Sequence, residues 1–226
     1  MLALVVAVMP ADRSIAHAFQ RSGVQSNSGL RQSANIFNAA GFPGAAAYSA
    51  GAYFLGLGMH SRPIAALGMH TGEAIVLAGV LDEVLKGTIG RARPVVDIRN
   101  SHDYHPGKGF SNDDYASLPS GHVTLAFAAA AMTSREVSRS WPDAARYVTP
   151  LSYGTATLVA AARLYKNEHW ASDVVGGAGL GTFAAVVFDR YNRGHPNNVF
   201  DRVFLPASVV PGRDGVAIAW VLPTQW

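Results

Sequence analysis

Apolar residues in this chain come in long runs broken by short polar punctuation, and most runs carry helix signals. DRSIAHAFQR, opened by Asp12, predicts a helix to about Arg21, followed by a polar Ser/Asn/Gly stretch to Ser28. A second helix is predicted from Leu30 to Ala40, stopped by Gly41 and Pro43, and a third, rich in Gly, Ala and aromatics, from Ala45 to Leu57. Pro63 to Met69 leads into a long helix from about Thr71 to Gly90. Val123 to Arg139 gives the next, and Trp141-Pro142-Asp143 restarts another that Pro150 should interrupt, because proline lacks an N–H and crowds the preceding turn. Leu151 to Leu164 and His169 to Tyr191 complete the helical set. In the last of these, Gly176, Gly177, Gly179 and Gly181 are costly unless a neighbour packs tightly against them. From Val95 to Leu118 the density of Asp, Asn, Gly and His predicts a loop running over a site. Val203 to Val210 and Val216 to Leu222 flank PGRDG and predict a small terminal hairpin. The expected fold is all-α, a multi-helix bundle forming one domain over residues 1–226, since no linker or internal repeat divides it.

Composition changes this picture in three ways. The hydrophobic share of 49% and mean hydropathy of +0.14 lie between a soluble protein and a polytopic membrane protein. Ala39 to Met59 is uncharged over a length that could span a bilayer, but it is rich in Gly and Ala with Pro43 inside it. The reading favours a soluble or peripheral extracytoplasmic protein, periplasmic or secreted, and leaves membrane association open. The start MLALVVAVMPADR has too short an apolar run to span and no basic residue before it. We expect a removed signal, with Met1 not the native start, rather than a segment packed on the core. A net charge of +3 and a pI near 9.3, with cations spread along the chain, argue against a nucleic-acid partner. The absence of cysteine excludes disulfides, thiolate metal sites and cysteine nucleophiles. Oligomeric state is left open.

Three segments carry candidate chemistry: Lys86 to Pro94 (KGTIGRARP), Pro119 to His122 (PSGH) and Arg163 to Asp173 (RLYKNEHWASD). A phosphate ester gathers negative charge on its equatorial oxygens in the transition state, and Lys86, Arg93 and Arg163 supply fixed cations for it. If the helix continues, Lys86 and Arg93 lie two turns apart on one face until Pro94 stops it. Arg91 is expected to face solvent or a carboxylate. Ser120 is a candidate N-cap, which puts free N–H groups beside Ser120 and Gly121, an arrangement that binds anions. His122 in the first turn could protonate a leaving alkoxide. His169 and Asp173 are four apart, on one face of a helix, where the carboxylate could direct the imidazole as a nucleophile. A break near Lys166 to Asn167, with Asn167 as a cap, would let Arg163 fold back onto the same anion. The loop residues His102, Asp103, His105, Asp113 and Asp114 match no strong metal-ligand pattern and read as polar loop or rim. His17, His60, His70 and His195 have no convincing partner in sequence.

Lysine, six residues, Arg-Pro; Pro-Ser-Gly-His; arginine, five residues, histidine, three residues, aspartate: this pattern resembles the type 2 phosphatidic acid phosphatase superfamily. Ala162 departs from it, since a serine usually precedes that arginine, at a position peripheral to the chemistry. The resemblance implies a helical bundle in which His169 attacks phosphorus, Asp173 orients it, and His122 serves the leaving group and then water. It implies that Lys86, Arg93, Ser120, Gly121 and Arg163 hold the phosphoryl oxygens, with no metal and no cofactor. The expected activity is hydrolysis of phosphate monoesters, on small molecules or lipids, and vanadate should inhibit it. Rival readings are a vanadium-dependent haloperoxidase, an isoprenyl diphosphate phosphatase, and a non-catalytic anion-binding scaffold.

Overall fold

The computed structural model describes residues 2–195, 198–205, 208–212 and 215–219. Its α-helices are α1 (Leu2–Val8), α2 (Asp12–Phe19), α3 (Ser22–Gln25), α4 (Ser28–Gly41), α5 (Gly44–Gly58), α6 (Arg62–Ile89), α7 (Gly121–Ser140), α8 (Pro142–Tyr165), α9 (Ala171–Gly194) and α10 (Val199–Phe204). An antiparallel ribbon follows, β1 (Ser208–Gly212) against β2 (Gly215–Ala219), with Val210 opposite Ala217. The expected hairpin is thus shorter than its sequence bounds. Val203 and Phe204 end α10, and residues 213–214 and 220–222 lie outside the described residues.

α7 is the axis of the bundle: α6, α8 and α9 pack on it, α5 packs on α6, and α4 packs on α8. Small residues make these contacts, Ala74, Ala78, Ala128, Ala131, Ala184 and Ala185 being essentially inaccessible. A Cβ placed on Gly181 would stand 2.0 Å from the Thr124 carbonyl oxygen of α7. Glycine in α9 therefore lets two helix backbones close up, which offsets its poor helix propensity.

Two expected breaks move. α6 starts at Arg62 because Pro63 occupies the first turn, where a missing N–H leaves nothing unsatisfied. It ends at Gly90, whose φ of 62° is left-handed, and a Cβ there would meet the His105 carbonyl oxygen at 1.7 Å. Lys86 and Arg93 consequently do not share a helical face; Arg93 reaches the site from the extended chain after the turn. α8 passes through Pro150 unbroken, since Pro150 is exposed and its ring forfeits only the bond to the carbonyl four residues back.

The outer surface is the main departure from expectation. Among the described residues, Leu2–Phe19, Arg62–Ile89 and Ala171–Gly194 are long and apolar enough to cross a membrane. Val76, Val80 and Val84 on α6, and Phe183, Val187 and Tyr191 on α9, recur every four residues and are all exposed. Facing water, such stripes would drive association; facing lipid, they match their surroundings. The N-terminal segment also packs on the bundle, contrary to expectation: Val5 is buried against α9 beside Gly176, while Leu2, Leu4 and Val6 turn outward.

Candidate active site

The three segments converge at one end of the bundle, where α6 and α8 finish and α7 and α9 begin. Lys86, Arg93, Gly121, His122, Arg163 and His169 line one cleft of about 580 Å³, with Phe42 beside them. Ser120 adjoins it, fully buried at the N-cap position of α7.

His169 lies just before α9, not within it, because Trp170 is the N-cap of that helix. Asp173 sits at the third helical position and its Oδ2 accepts from the Trp170 backbone N–H at 2.8 Å. The imidazole is held instead by the Ser117 carbonyl, 2.8 Å from Nδ1, with Asp173 Oδ2 at 4.0 Å. A carbonyl can only accept, so Nδ1 carries the proton and Nε2 the lone pair. Asp173 acts on this arrangement at one remove, since the Ser117 hydroxyl donates to its Oδ2 at 2.6 Å. Burial, and then the charges of Arg163, Arg93 and Lys86, keep the His169 imidazole well below its ordinary pKa and therefore neutral.

Each cation is fixed by acidic or amide partners. Lys86 Nζ lies 2.8 Å from Asp82 Oδ2 and 3.2 Å from Glu83 Oε1. Arg93 pairs with Asp113 at 2.7 Å and with Glu168, and Arg163 bonds Asn38 and approaches Glu168 at 3.6 Å. Arg163 is positioned as expected by a break after α8, where Asn167 adopts φ 59°, a conformation asparagine tolerates better than most residues. It ends α8 and does not cap α9. Gly121 leaves room for the Lys86–Asp82 pair, because a Cβ there would stand 2.6 Å from Lys86 Nζ and displace it.

Two buried polar atoms at the site have no hydrogen-bond partner: Ser120 Oγ and Arg163 Nε. Ser120 occupies the cap position, yet its hydroxyl caps nothing. Leaving such groups unpaired costs about 1–3 kcal/mol each, so a site that retains them is shaped for an acceptor that comes and goes. His122 hydrogen-bonds the Phe42 backbone, and its pKa is pushed down to about 4 by burial and by Arg163, Lys86 and Arg93. An arriving anion would offset those charges and raise the His122 pKa from that value.

Of the groups that hold the site, sequence reasoning offered Arg91 a carboxylate as one of two alternatives but did not say which one, and missed the rest. Arg91 is fully buried, bonded to Asp173 at 2.5 Å and to Asp12 of α2 at 2.7 Å, and it stacks near Trp170. Asp12 also accepts from Ser172, through the backbone N–H at 2.8 Å and the hydroxyl at 2.6 Å. Asn38, Asp82, Ser117 and Glu168 were likewise unassigned. Glu168, lying between Arg163 and His169, was open to discovery as the counter-charge to two arginines. Of the loop residues, His105 pairs with Asp103 at 2.9 Å in an exposed position and Asp113 belongs to Arg93.

The chain resembles characterised proteins in sequence and in fold. Over 116 residues it is 32% identical to the lipid A 1-phosphatase of Porphyromonas gingivalis, a match covering 51% of this chain and 20% of that protein. The chain thus spans about a fifth of that relative's length. Its fold matches the crystal structure of a transmembrane PAP2 type phosphatidylglycerolphosphate phosphatase from Bacillus subtilis, with a TM-score of 0.61 and 21% identity, over 85% of this chain and 92% of that one. The likeness to a transmembrane bundle, together with three helices fit to cross a bilayer, overturns the soluble periplasmic reading. The sequence model of the PAP2 superfamily matches residues 67–194, more than half of the chain and all three motif segments, and the chain belongs to that superfamily.

Proposed function

We propose that this chain is a membrane-embedded phosphatase, acting as one domain, that hydrolyses phosphate monoesters presented at a lipid surface through a phosphohistidine on His169. The observation that carries the reading is the pair of unpartnered buried donors, Ser120 Oγ and Arg163 Nε, within a ring of three cations around a neutral imidazole. Phosphoryl transfer needs little covalent help from a protein beyond a nucleophile, and much positioning and charge stabilisation. The lipid A 1-phosphatase and phosphatidylglycerolphosphate phosphatase likenesses support a lipid-borne substrate. So does the site's location at the ends of apolar helices.

In the first step, the His169 Nε2 lone pair attacks phosphorus in line with the ester oxygen. The P–N bond forms, the P–O ester bond breaks, and His122 gives its proton to the departing alkoxide. The Nδ1–H bond to the Ser117 carbonyl stabilises the positive charge that develops on the ring. Lys86, Arg93, Arg163, the Ser120 hydroxyl and the Gly121 N–H hold the equatorial oxygens. In the second step, neutral His122 takes a proton from water, the hydroxide attacks phosphorus, the P–N bond breaks and phosphate leaves. Asp173 is a positioning residue in this scheme, and no step uses a metal.

The deciding experiment sets water-soluble phosphate esters beside phosphatidic acid, phosphatidylglycerolphosphate and lipid A in micelles, with EDTA present. Turnover of a lipid phosphate that exceeds the soluble esters and survives EDTA is expected, with inhibition by vanadate. Inactivity across the panel would overturn the phosphatase reading, and preference for soluble esters would overturn the lipid assignment.

A further inference from the structure

The far end of the bundle holds a second cluster, built on different chemistry. His70 on α6 is buried, and its Nδ1 lies 2.7 Å from Glu136 Oε1 on α7. Carboxylates accept, so Nδ1 donates to Glu136 and, with no ion bound, Nε2–H donates to Asp201 Oδ1 of α10 at 3.3 Å; an ion at this place would take the position of that Nε2 proton. Glu73 stands one turn beyond His70 on the same side of α6, and its buried Oε2 has no hydrogen-bond partner. Ligand atoms of His70, Glu73 and Asp201 all lie within 4.8 Å of one another.

A simple ion-pair network explains only part of this. It accounts for the short contact to Glu136, but it leaves the Asp201 contact at the long end of hydrogen bonding and gives Glu73 no role. Two ligands of a tetrahedral ion, each at the usual bond length of about 2.0–2.1 Å, stand about 3.4 Å apart, close to the observed separation of Nε2 and Oδ1. The outer tier is also present. Glu136 holds the distal N–H of the imidazole, as carboxylates commonly do behind metal-bound histidine, and Arg139 holds Glu136 at 2.9 Å. Glu73 also borders a largely apolar cleft of about 800 Å³ that runs between α5, α6, α9 and α10.

We propose that His70, Glu73 and Asp201 form a structural site for one divalent transition-metal ion. One imidazole and two carboxylates best suit Zn²⁺, with Mn²⁺ second, and lack the all-oxygen donor set of a Ca²⁺ or Mg²⁺ site. The ion would tie α10, already anchored by the Tyr53 hydroxyl donating to the Phe204 carbonyl at 2.8 Å, to α6. His70 and Lys86 are separated along α6 by about 24 Å at 1.5 Å per residue, so the ion takes no part in the chemistry at His169.

The test is Zn²⁺ titration of the full chain in detergent micelles after EDTA stripping and dialysis, read by calorimetry and by the thermal midpoint. One Zn²⁺ per chain and a rise in midpoint are expected. Glu73→Gln and Asp201→Asn should each weaken binding at least about 10-fold, since losing a ligand costs no less than losing an outer partner, and remove the midpoint rise, while turnover at 25 °C stays at the wild-type level. Glu73→Gln is the sharper variant: it replaces an unpaired buried carboxylate, so the metal-free protein should be as stable as wild type or more so. His70→Ala is a weaker test because it also strips Glu136 of its partner. Absence of Zn²⁺ uptake at micromolar concentrations would overturn the proposal. So would equal binding by wild type and Glu73→Gln, which would place the ion elsewhere.

Discussion

Asp173 and Asp189 lie on the same helix, both buried and both held by arginine, but their surroundings differ in kind. Asp173 accepts from Arg91, the Ser117 hydroxyl and the Trp170 N–H, three donors from loop or helix-entry segments around the cleft. Its arginine is wholly buried. Asp189 accepts from Arg135, Arg139 and Arg193, all on helices and all at least 35% exposed on their side chains. One cluster immobilises irregular chain at the cost of desolvating a full ion pair, whereas the other staples α7 to α9 with its cations still partly hydrated. Buried charge at the candidate site fixes geometry that the helices alone do not supply.

The comparison breaks first at the nucleophile. His169→Ala should lower turnover at least about 10⁴-fold and abolish an acid-labile, base-stable phosphoryl label in rapid-quench experiments with labelled substrate. Label on Ser120 or His122 would move the nucleophile.

The two aspartates provide the next contrast. Asp173→Asn should cost about 10²–10⁴-fold in kcat, together with about 3–5 kcal/mol of stability as Arg91 loses a charge partner. Asp189→Asn should lower stability by only about 1 kcal/mol and leave kcat alone. Paired denaturation and kinetics would read both, and an Asp189 variant as impaired in kcat as the Asp173 variant would erase the distinction.

Ser120→Ala should lose about 10²-fold in kcat with no loss of stability, because its hydroxyl holds nothing in the free protein. A drop in thermal midpoint without a kinetic effect would make that hydroxyl structural.

The smallest effect is in pH dependence. His122 and His169 both prefer the neutral form when folded, so below the ordinary histidine pKa of about 6.5 the unfolded chain binds more protons. The contribution of these two histidines to stability should therefore fall as pH drops from about 6.5 toward 4. Vanadate, by neutralising the surrounding cations, should raise the His122 pKa and flatten that slope. Thermal midpoints across this range, with and without vanadate, would show it.

Much of the site was legible because its residue types and spacings are unusual: Lys86, Arg93, Gly121, His122, Arg163 and His169 do converge on one cleft. The supporting groups were not. Asp12 and Arg91 meet from distant parts of the chain, and no periodicity links them. The sequence reading left membrane association open but leaned to a soluble protein, for a related reason. Along α6 and α9, alanine and glycine face inward and Val76, Val80, Val84, Phe183 and Val187 outward, so average hydropathy is diluted by the core, and the outer stripes stand out only once the faces are known. Pro150 misled because its cost depends on whether the carbonyl it abandons is exposed, which a linear sequence does not reveal.

Arg91 also decides how this protein can be handled. It joins Asp12 of α2 to Asp173, close to the candidate nucleophile His169. A truncation that starts after Asp12 would leave a guanidinium facing a single carboxylate in a dry interior, and the damage would surface at the cleft. Affinity tags therefore belong outside that helix, and Asp12 should be kept with the candidate site that it helps to hold.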